Sequence, residues 1–269
     1  MKRVPGIAAV LCTIPGTGTT YVAQALDRAG VPATGMHTYR DALRKPSRLD
    51  SLRRFAEENR TVVCVTLVRE PLAIVISQTF WSFYNQRLDQ GAPWFDEQEP
   101  TAADLDRFRG IFHDVHYPNY RDGRLEAYFG TEFREGMGID VFASAFPHTT
   151  GYAVFDRDPA APGNPVGANC HHLVVLRTDR IEEQLRPALI EATGGRPVPE
   201  LRFSVEAVEA RAKGASNKDK PYYARFVRNL GLTDVQIGAF YGTGYARHFL
   251  AKPERKSLTR SWITRLRET

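Results

Sequence analysis

Ile7-Ala8-Ala9-Val10-Leu11-Cys12-Thr13-Ile14-Pro15-Gly16-Thr17-Gly18-Thr19-Thr20 is the stretch on which the fold turns. Its first six residues are a continuous apolar run, as in a strand buried on both faces of a sheet. A glycine/threonine loop follows at once. Tyr21, Val22, Ala25, Leu26 and Ala29 then recur at helical spacing, with Gly30 as the stop signal and Pro32 just beyond. A strand, a tight loop and a helix in this order leave backbone N–H groups pointing into one concavity, where the helix dipole adds partial positive charge. Gly16 and Gly18 permit close ligand approach, Pro15 fixes the exit from the strand, and Thr19 and Thr20 bring hydroxyls to the helix start. The segment reads as a cradle for a phosphate-type anion.

Working outward, the residues from 31 to 39 return to the sheet and those from 41 to 58 read as a charged amphipathic helix. Thr61 to Val68 is a second buried strand, ended by Arg69-Glu70, and Pro71 opens the next helix at its first-turn position. This alternation predicts an α/β fold: a P-loop-like parallel central sheet flanked by helices. The residues from 100 to 134 read as helical pieces broken near Tyr117-Pro118-Asn119. Two more strands are expected over Gly151 to Phe155 and His172 to Leu176, joined by a Pro/Gly/Ala-rich surface loop from Asp156 to Ala168. Asp179 is placed to cap a helix running to about Thr193. From Asp219 on, the chain reads as a helical C-terminal part. One domain, 1–269, is expected.

The 269 residues suffice for one large α/β core, and the hydrophobic and charged fractions of 42% and 25% exclude a disordered chain. The net charge of +5 suits an anionic ligand. No Lys/Arg-rich tract marks a nucleic-acid arm, and no apolar run approaches a membrane span, so a cytoplasmic protein with no nucleic-acid partner and no integral membrane segment is expected. The three cysteines, Cys12, Cys64 and Cys170, match no zinc or redox spacing; Cys12 and Cys64 read as buried core thiols.

Three ligand classes use such a loop. A dinucleotide site needs a third glycine where Tyr21 stands. A nucleoside-triphosphatase loop needs a Gly-Lys pair, which is absent. The third class is the 5′-phosphosulfate loop, which Pro15-Gly16-Thr17-Gly18-Thr19-Thr20 matches at every position but one. A second segment, Val68-Arg69-Glu70-Pro71 through Ser77, adds an arginine at the carboxyl end of a buried strand and a serine about two helical turns on. Arginine offers a planar fork matched to phosphate oxygens.

Together the two segments resemble the phosphate-binding signatures of the PAPS-dependent sulfotransferases. Stretches from 129 to 152 and from 217 to 262, including Lys220, Tyr222, Tyr241, Tyr245, Glu254 and Trp262, are similar to bacterial sulfotransferase-like proteins labelled as putative capsular polysaccharide synthesis proteins. The resemblance implies a sulfotransferase with PAPS (3′-phosphoadenylyl sulfate) as co-substrate, no metal, and a hydroxyl or amine of a small molecule or glycan as acceptor. By it, Gly16, Thr17, Gly18, Thr19 and Thr20 hold the 5′ end, and Arg69 and Ser77 hold the 3′-phosphate. The one departure is Gly16, where the family carries a basic residue; Lys213, Lys218 or Lys220 are candidate substitutes. The alternatives are an ATP-dependent small-molecule kinase and a non-catalytic binder of the nucleotide.

Sulfuryl transfer needs a base for the acceptor proton. His37 follows a strand-like segment and should lie at the rim of the loop; a role capping the next helix is an equal alternative. Glu70 is the second candidate, with a local cap or pair as the preferred reading of that residue. His113 and His116 have the i, i+3 spacing of a metal pair, but no third ligand is near, and His248 reads as a packed histidine. In the run from Phe80 to Tyr84 most residues read as core, with exposed members available to adenine or the acceptor.

Overall fold

The structure is a computed structural model, and it describes residues 6–38, 46–59, 61–89, 99–157, 170–203 and 222–267. The chain divides into two compact units, Met1–Arg69 with Glu126–Ser204, and Glu70–Leu125 with Val205–Thr269.

The first unit holds a five-stranded sheet. Its strands are β1 (Ile7–Cys12), β2 (Ala33–Met36), β3 (Thr61–Val68), β4 (Tyr152–Asp156) and β5 (Cys170–Arg177), in the order β2-β1-β3-β5-β4. Strands β2, β1, β3 and β5 are parallel, with Leu11 opposite Val65 and Val65 opposite Val174. Every residue of β1 is buried, as its unbroken apolar run requires of a central strand. The helices α1 (Thr19–Arg28) and α7 (Ile181–Ala192) contribute Val22, Leu26, Leu185 and Leu189 to one core with Ile7, Leu11, Leu67 and Leu176. Each such side chain taken from water contributes about 1.5–3 kcal/mol. Tyr21 ties the two helices together through a hydrogen bond from its hydroxyl to Glu182 Oε1 at 2.5 Å.

The sheet is mixed, not wholly parallel: β4 runs antiparallel to β5, with Val154 opposite Val174. The two strands are joined by a stretch read from the sequence as loop, of which residues 158–169 lie outside the described residues. A loop suffices for an antiparallel pair, whereas a parallel pair needs a crossover of a dozen or more residues that is usually helical.

Two local readings differ from expectation, and a third falls partly outside the described residues. The helix α2 spans Pro46–Glu57, with proline in the first turn, where its missing N–H costs nothing; residues 41–45 lie outside the described residues. Asp179 does not cap a helix. Its carboxylate takes two hydrogen bonds from Arg177, Nε at 3.0 Å and Nη2 at 2.7 Å, and a 3₁₀ turn over Thr178–Arg180 leads into α7. A bidentate guanidinium outweighs a single capping bond. Near Pro118 the helix is not broken. A π-helical turn over Ile111–His116 passes directly into α5 (Tyr117–Arg121), and the wider turn accommodates the missing N–H of proline. The helix α6 (Arg124–Phe129) likewise runs into a π-helical turn over Gly130–Glu135.

The second unit is helical. It contains α3 (Pro71–Asp89), α4 (Ala102–Gly110), α5, α8 (Tyr223–Arg228), α9 (Asp234–Gly242), α10 (Gly244–Phe249) and α11 (Lys252–Arg267). Thr101 and Thr233 cap α4 and α9 with full capping boxes, to Asp104 and Gln236. Phe80 and Phe83 of α3 pack with Phe108 and Phe226; the Phe80 and Phe108 rings lie 4.5 Å apart. Trp81, from the same run, is 59% exposed. No helix among the described residues is long and apolar enough to cross a membrane.

Candidate functional site

The strand order places a topological switch at β1. The chain leaves β1 for β2 on one side and then returns to β3 on the other. Open α/β sheets bind ligands in the crevice this creates at the carboxyl ends of the strands. The loop from Thr13 to Gly18 leaves the carboxyl end of β1, and Arg69 follows the last residue of β3.

The loop is shaped by its glycines. Gly16 has φ 86° and Gly18 has φ 101°, both in the left-handed region that a side chain disfavours. Left-handed residues in such a turn aim successive N–H groups into a shared concavity. Gly18 is the N-cap of α1 and supplies no side-chain cap. The helical ladder begins only with Val22 N–H donating to Gly18 O at 3.2 Å, so the amides of Thr19 and Thr20 precede it. Gly16, Gly18 and Thr20 are exposed, and Thr19 is half-buried.

The threonines divide their work. Thr17 is buried and donates its hydroxyl to Ile14 O at 2.7 Å, closing the turn. It therefore offers the concavity an amide, not a hydroxyl. Thr13 is fully buried, and its hydroxyl bonds that of Thr19 across the loop. With Thr13 as donor, the proton of the Thr19 hydroxyl is left for an anion.

Arg69 donates from Nη1 to Gly16 O at 2.9 Å. Its guanidinium thus stands against the loop position where the resembled family carries a basic side chain. The alternative cations, Lys213, Lys218 and Lys220, lie outside the described residues. Ser77 belongs to the second unit, half-buried on α3 six residues after Pro71.

His37 is brought to the loop as expected. It follows the last residue of β2, is exposed, and places Nδ1 3.2 Å from Thr13 O. A carbonyl only accepts, so this contact places a proton on Nδ1, and a neutral ring held this way has its lone pair on Nε2. Tyr128 of α6, which sequence reasoning missed, donates to His37 O at 3.1 Å and lies 3.6 Å from Cys12 Sγ. Burial, with Cys12 and Glu132 adding to it, pushes the Tyr128 phenol well above its ordinary range, so it stays a donor.

Glu70 is not available as a base. Its Oε2 accepts from the Tyr241 hydroxyl at 2.5 Å, and its Oε1 accepts from Trp262 Nε1 at 3.1 Å and from the Ala73 amide at 3.1 Å. It joins the start of α3 to α9 and α11. Burial and then the Glu70 charge raise the Tyr241 phenol far above its usual range. The other histidines are also placed by local bonds. His113 Nε2 meets Leu230 O at 2.7 Å, and His116 Nε2 meets Ser82 Oγ at 2.9 Å, so the pair is not arranged around a metal. His172 bonds Asp156 across β4 and β5 at 2.7 Å, and His248 lies half-buried against Phe249.

The first unit thus brings together the amides at the start of α1, a guanidinium that bonds the loop and a histidine whose Nε2 has no partner among the described residues. No family model, curated protein or solved structure matches the chain.

Proposed function

We propose that the chain transfers a sulfuryl group from 3′-phosphoadenylyl sulfate to a hydroxyl or amine of a small-molecule or glycan acceptor. The observation that carries this reading is the contact between Arg69 and Gly16 O at 2.9 Å, which sets a fixed cation on an amide cradle at the switch point of the sheet. The sequence resemblance to PAPS-dependent sulfotransferases, in the loop from Pro15 to Thr20 and in Arg69 with Ser77, names the group transferred.

The chemistry follows from the residues. The acceptor oxygen or nitrogen attacks sulfur in line with the bridging oxygen of the 5′-phosphosulfate. The new bond to sulfur forms as the S–O bond to the phosphate breaks, and the electron pair of that bond leaves on the phosphate oxygen. His37 Nε2 takes the acceptor proton. The amides of Gly18, Thr19 and Thr20 with the Thr19 hydroxyl face the charge growing on the leaving phosphate. Arg69, with Ser77 the proposed holder of the 3′-phosphate, also brings positive charge to the loop, which has none of its own at Gly16. An ATP-dependent kinase would need a lysine in the loop and a magnesium site, and the segment has no such lysine. Gly16 favours a second reading, a binder of the bisphosphate nucleotide without turnover.

Calorimetric titration of adenosine 3′,5′-bisphosphate against 5′-AMP and ADP tests the proposal. The bisphosphate is expected to bind tightest, without magnesium. Equal affinity for the three, or none, overturns it. Tight binding with no transfer from the sulfated nucleotide to any of a panel of hydroxylated and amino acceptors selects the second reading.

A further inference from the structure

Charge is sorted unevenly along this chain. Residues 222–267 carry nine Lys/Arg and two Asp/Glu, an excess of seven against the +5 of the whole protein. Much of it lies on α11, where three of the basic groups are engaged. Arg255 donates to Tyr241 O at 3.0 Å, Arg265 lies 4.6 Å from the centre of the Trp262 ring, and Arg267 bonds Asp234 at 2.6 Å.

The outward face is different. Lys252, Lys256 and Arg260 are exposed at successive i, i+4 positions, about 6 Å apart along the axis. None has an acidic partner among the described residues. Like charges at this spacing destabilise a helix, so the row is a feature that folding alone disfavours. It is also a linear array of cations of the kind that releases counterions to a polyanion.

The rest of the face decides among polyanions. Ser257, Ser261 and Thr264 lie exposed along one side of the row, and the helix's tryptophan, Trp262, is buried at 3% exposure. An interfacial helix inserts exposed aromatic or branched apolar groups into the headgroup boundary, whereas the one such residue on this arc, Ile263, is half-buried. Stacking platforms for single-stranded nucleic acid interleave aromatics with the cations, which are absent here too. Hydroxyls flanking a row of cations match a ligand that carries carboxylate or sulfate groups beside sugar hydroxyls.

We propose that the row of Lys252, Lys256 and Arg260 is a docking surface for an acidic polysaccharide. The choice of a glycan rests in part on the reading of the protein as a sulfuryl transferase to a glycan acceptor; the polyanion surface rests on the charges alone.

The test is calorimetric binding of chondroitin sulfate oligosaccharides of defined length to the full chain, at low and at physiological salt. Binding that weakens with salt is expected. The triple variant Lys252→Gln, Lys256→Gln, Arg260→Gln is expected to lose about tenfold or more in affinity with no fall in melting temperature, since it removes only exposed like charges. A control that removes three exposed arginines elsewhere, Arg53→Gln, Arg109→Gln and Arg121→Gln, is expected to retain most of the binding. Equal loss in the control, or undiminished binding in the triple variant, overturns the proposal. A DNA duplex or phosphatidylglycerol vesicles bound in place of the oligosaccharide overturn it as well. Adenosine 3′,5′-bisphosphate affinity is expected to be unchanged in the triple variant; failure of the wild type to bind that nucleotide sinks the sulfuryl-transfer reading and leaves the docking surface standing on its own measurement.

Discussion

Arg69 Nη1 donates to the backbone carbonyl of Gly16 across 2.9 Å, so a cation bonded to the anion loop comes from the end of the neighbouring strand and not from the loop itself. An arginine in that place acts on whatever phosphate the loop holds. Arg69→Ala is expected to weaken adenosine 3′,5′-bisphosphate binding about 10- to 100-fold, the effect of losing a hydrogen bond to a charged group. Arg69→Lys should recover part of it, since lysine keeps the charge but not the fork. Calorimetry at one salt concentration reads both, and undiminished binding in the alanine variant removes Arg69 from the site.

His37 is held at two points, through Nδ1 by Thr13 O and through its own carbonyl by Tyr128. If it takes the acceptor proton, His37→Ala lowers the transfer rate by about 10²- to 10⁴-fold and leaves nucleotide affinity unchanged. Tyr128→Phe keeps the imidazole and frees the backbone, and a smaller loss of rate is expected. Undiminished transfer in the His37 variant assigns the proton to another group.

Glu70 gathers three donors onto one carboxylate, and two of them, Tyr241 and Trp262, are side chains buried to 3% exposure. Glu70→Ala strands both without a partner and is expected to destabilise the protein by about 3 kcal/mol. A thermal melt checks this. Because the effect is on folding, the transfer rate per folded molecule should change far less than in the His37 variant.

His116 sets an acid limit. Burial, then the neighbouring Arg124 charge, lowers its pKa from 6.5 to about 4. The unfolded chain takes up this proton as pH falls through 6.5, and the folded chain does so only near 4. The stability that depends on the neutral ring is therefore complete above 6.5 and lost as pH falls between those two values. The loss amounts to up to about 3 kcal/mol. Melting temperatures from pH 7 to pH 4 should fall more steeply in the wild type than in His116→Gln.

Much of this was readable from local pattern. The strands β1 and β3 announce themselves because a strand covered on both faces leaves no polar alternation. The loop could be found because its glycines, now seen at φ 86° and 101°, are an obligatory conformational signal. Arg69 was legible as the residue that ends β3. The contacts that decide roles were not. The partners of Glu70 lie 171 and 192 residues away, and Tyr128 is 91 residues from His37, distances over which one sequence carries no pairing signal. Asp179 was misread because an Asp before a helix looks the same whether it caps the amides or pairs with Arg177. The direction of β4 was in reach: two strands joined by a stretch that reads as loop favour an antiparallel pair.

The three cysteines, each fully buried in the strands of the first unit, give the protein a built-in clock. Cys12, Cys64 and Cys170 sit on adjacent strands, where a thiol reagent reaches them only when the sheet opens. Their modification rate under native conditions therefore counts opening events of the sheet itself. A ligand held by the Thr13–Gly18 loop, which joins β1 to α1, should slow all three together, and that slowing can be timed without a label or an assay for transfer.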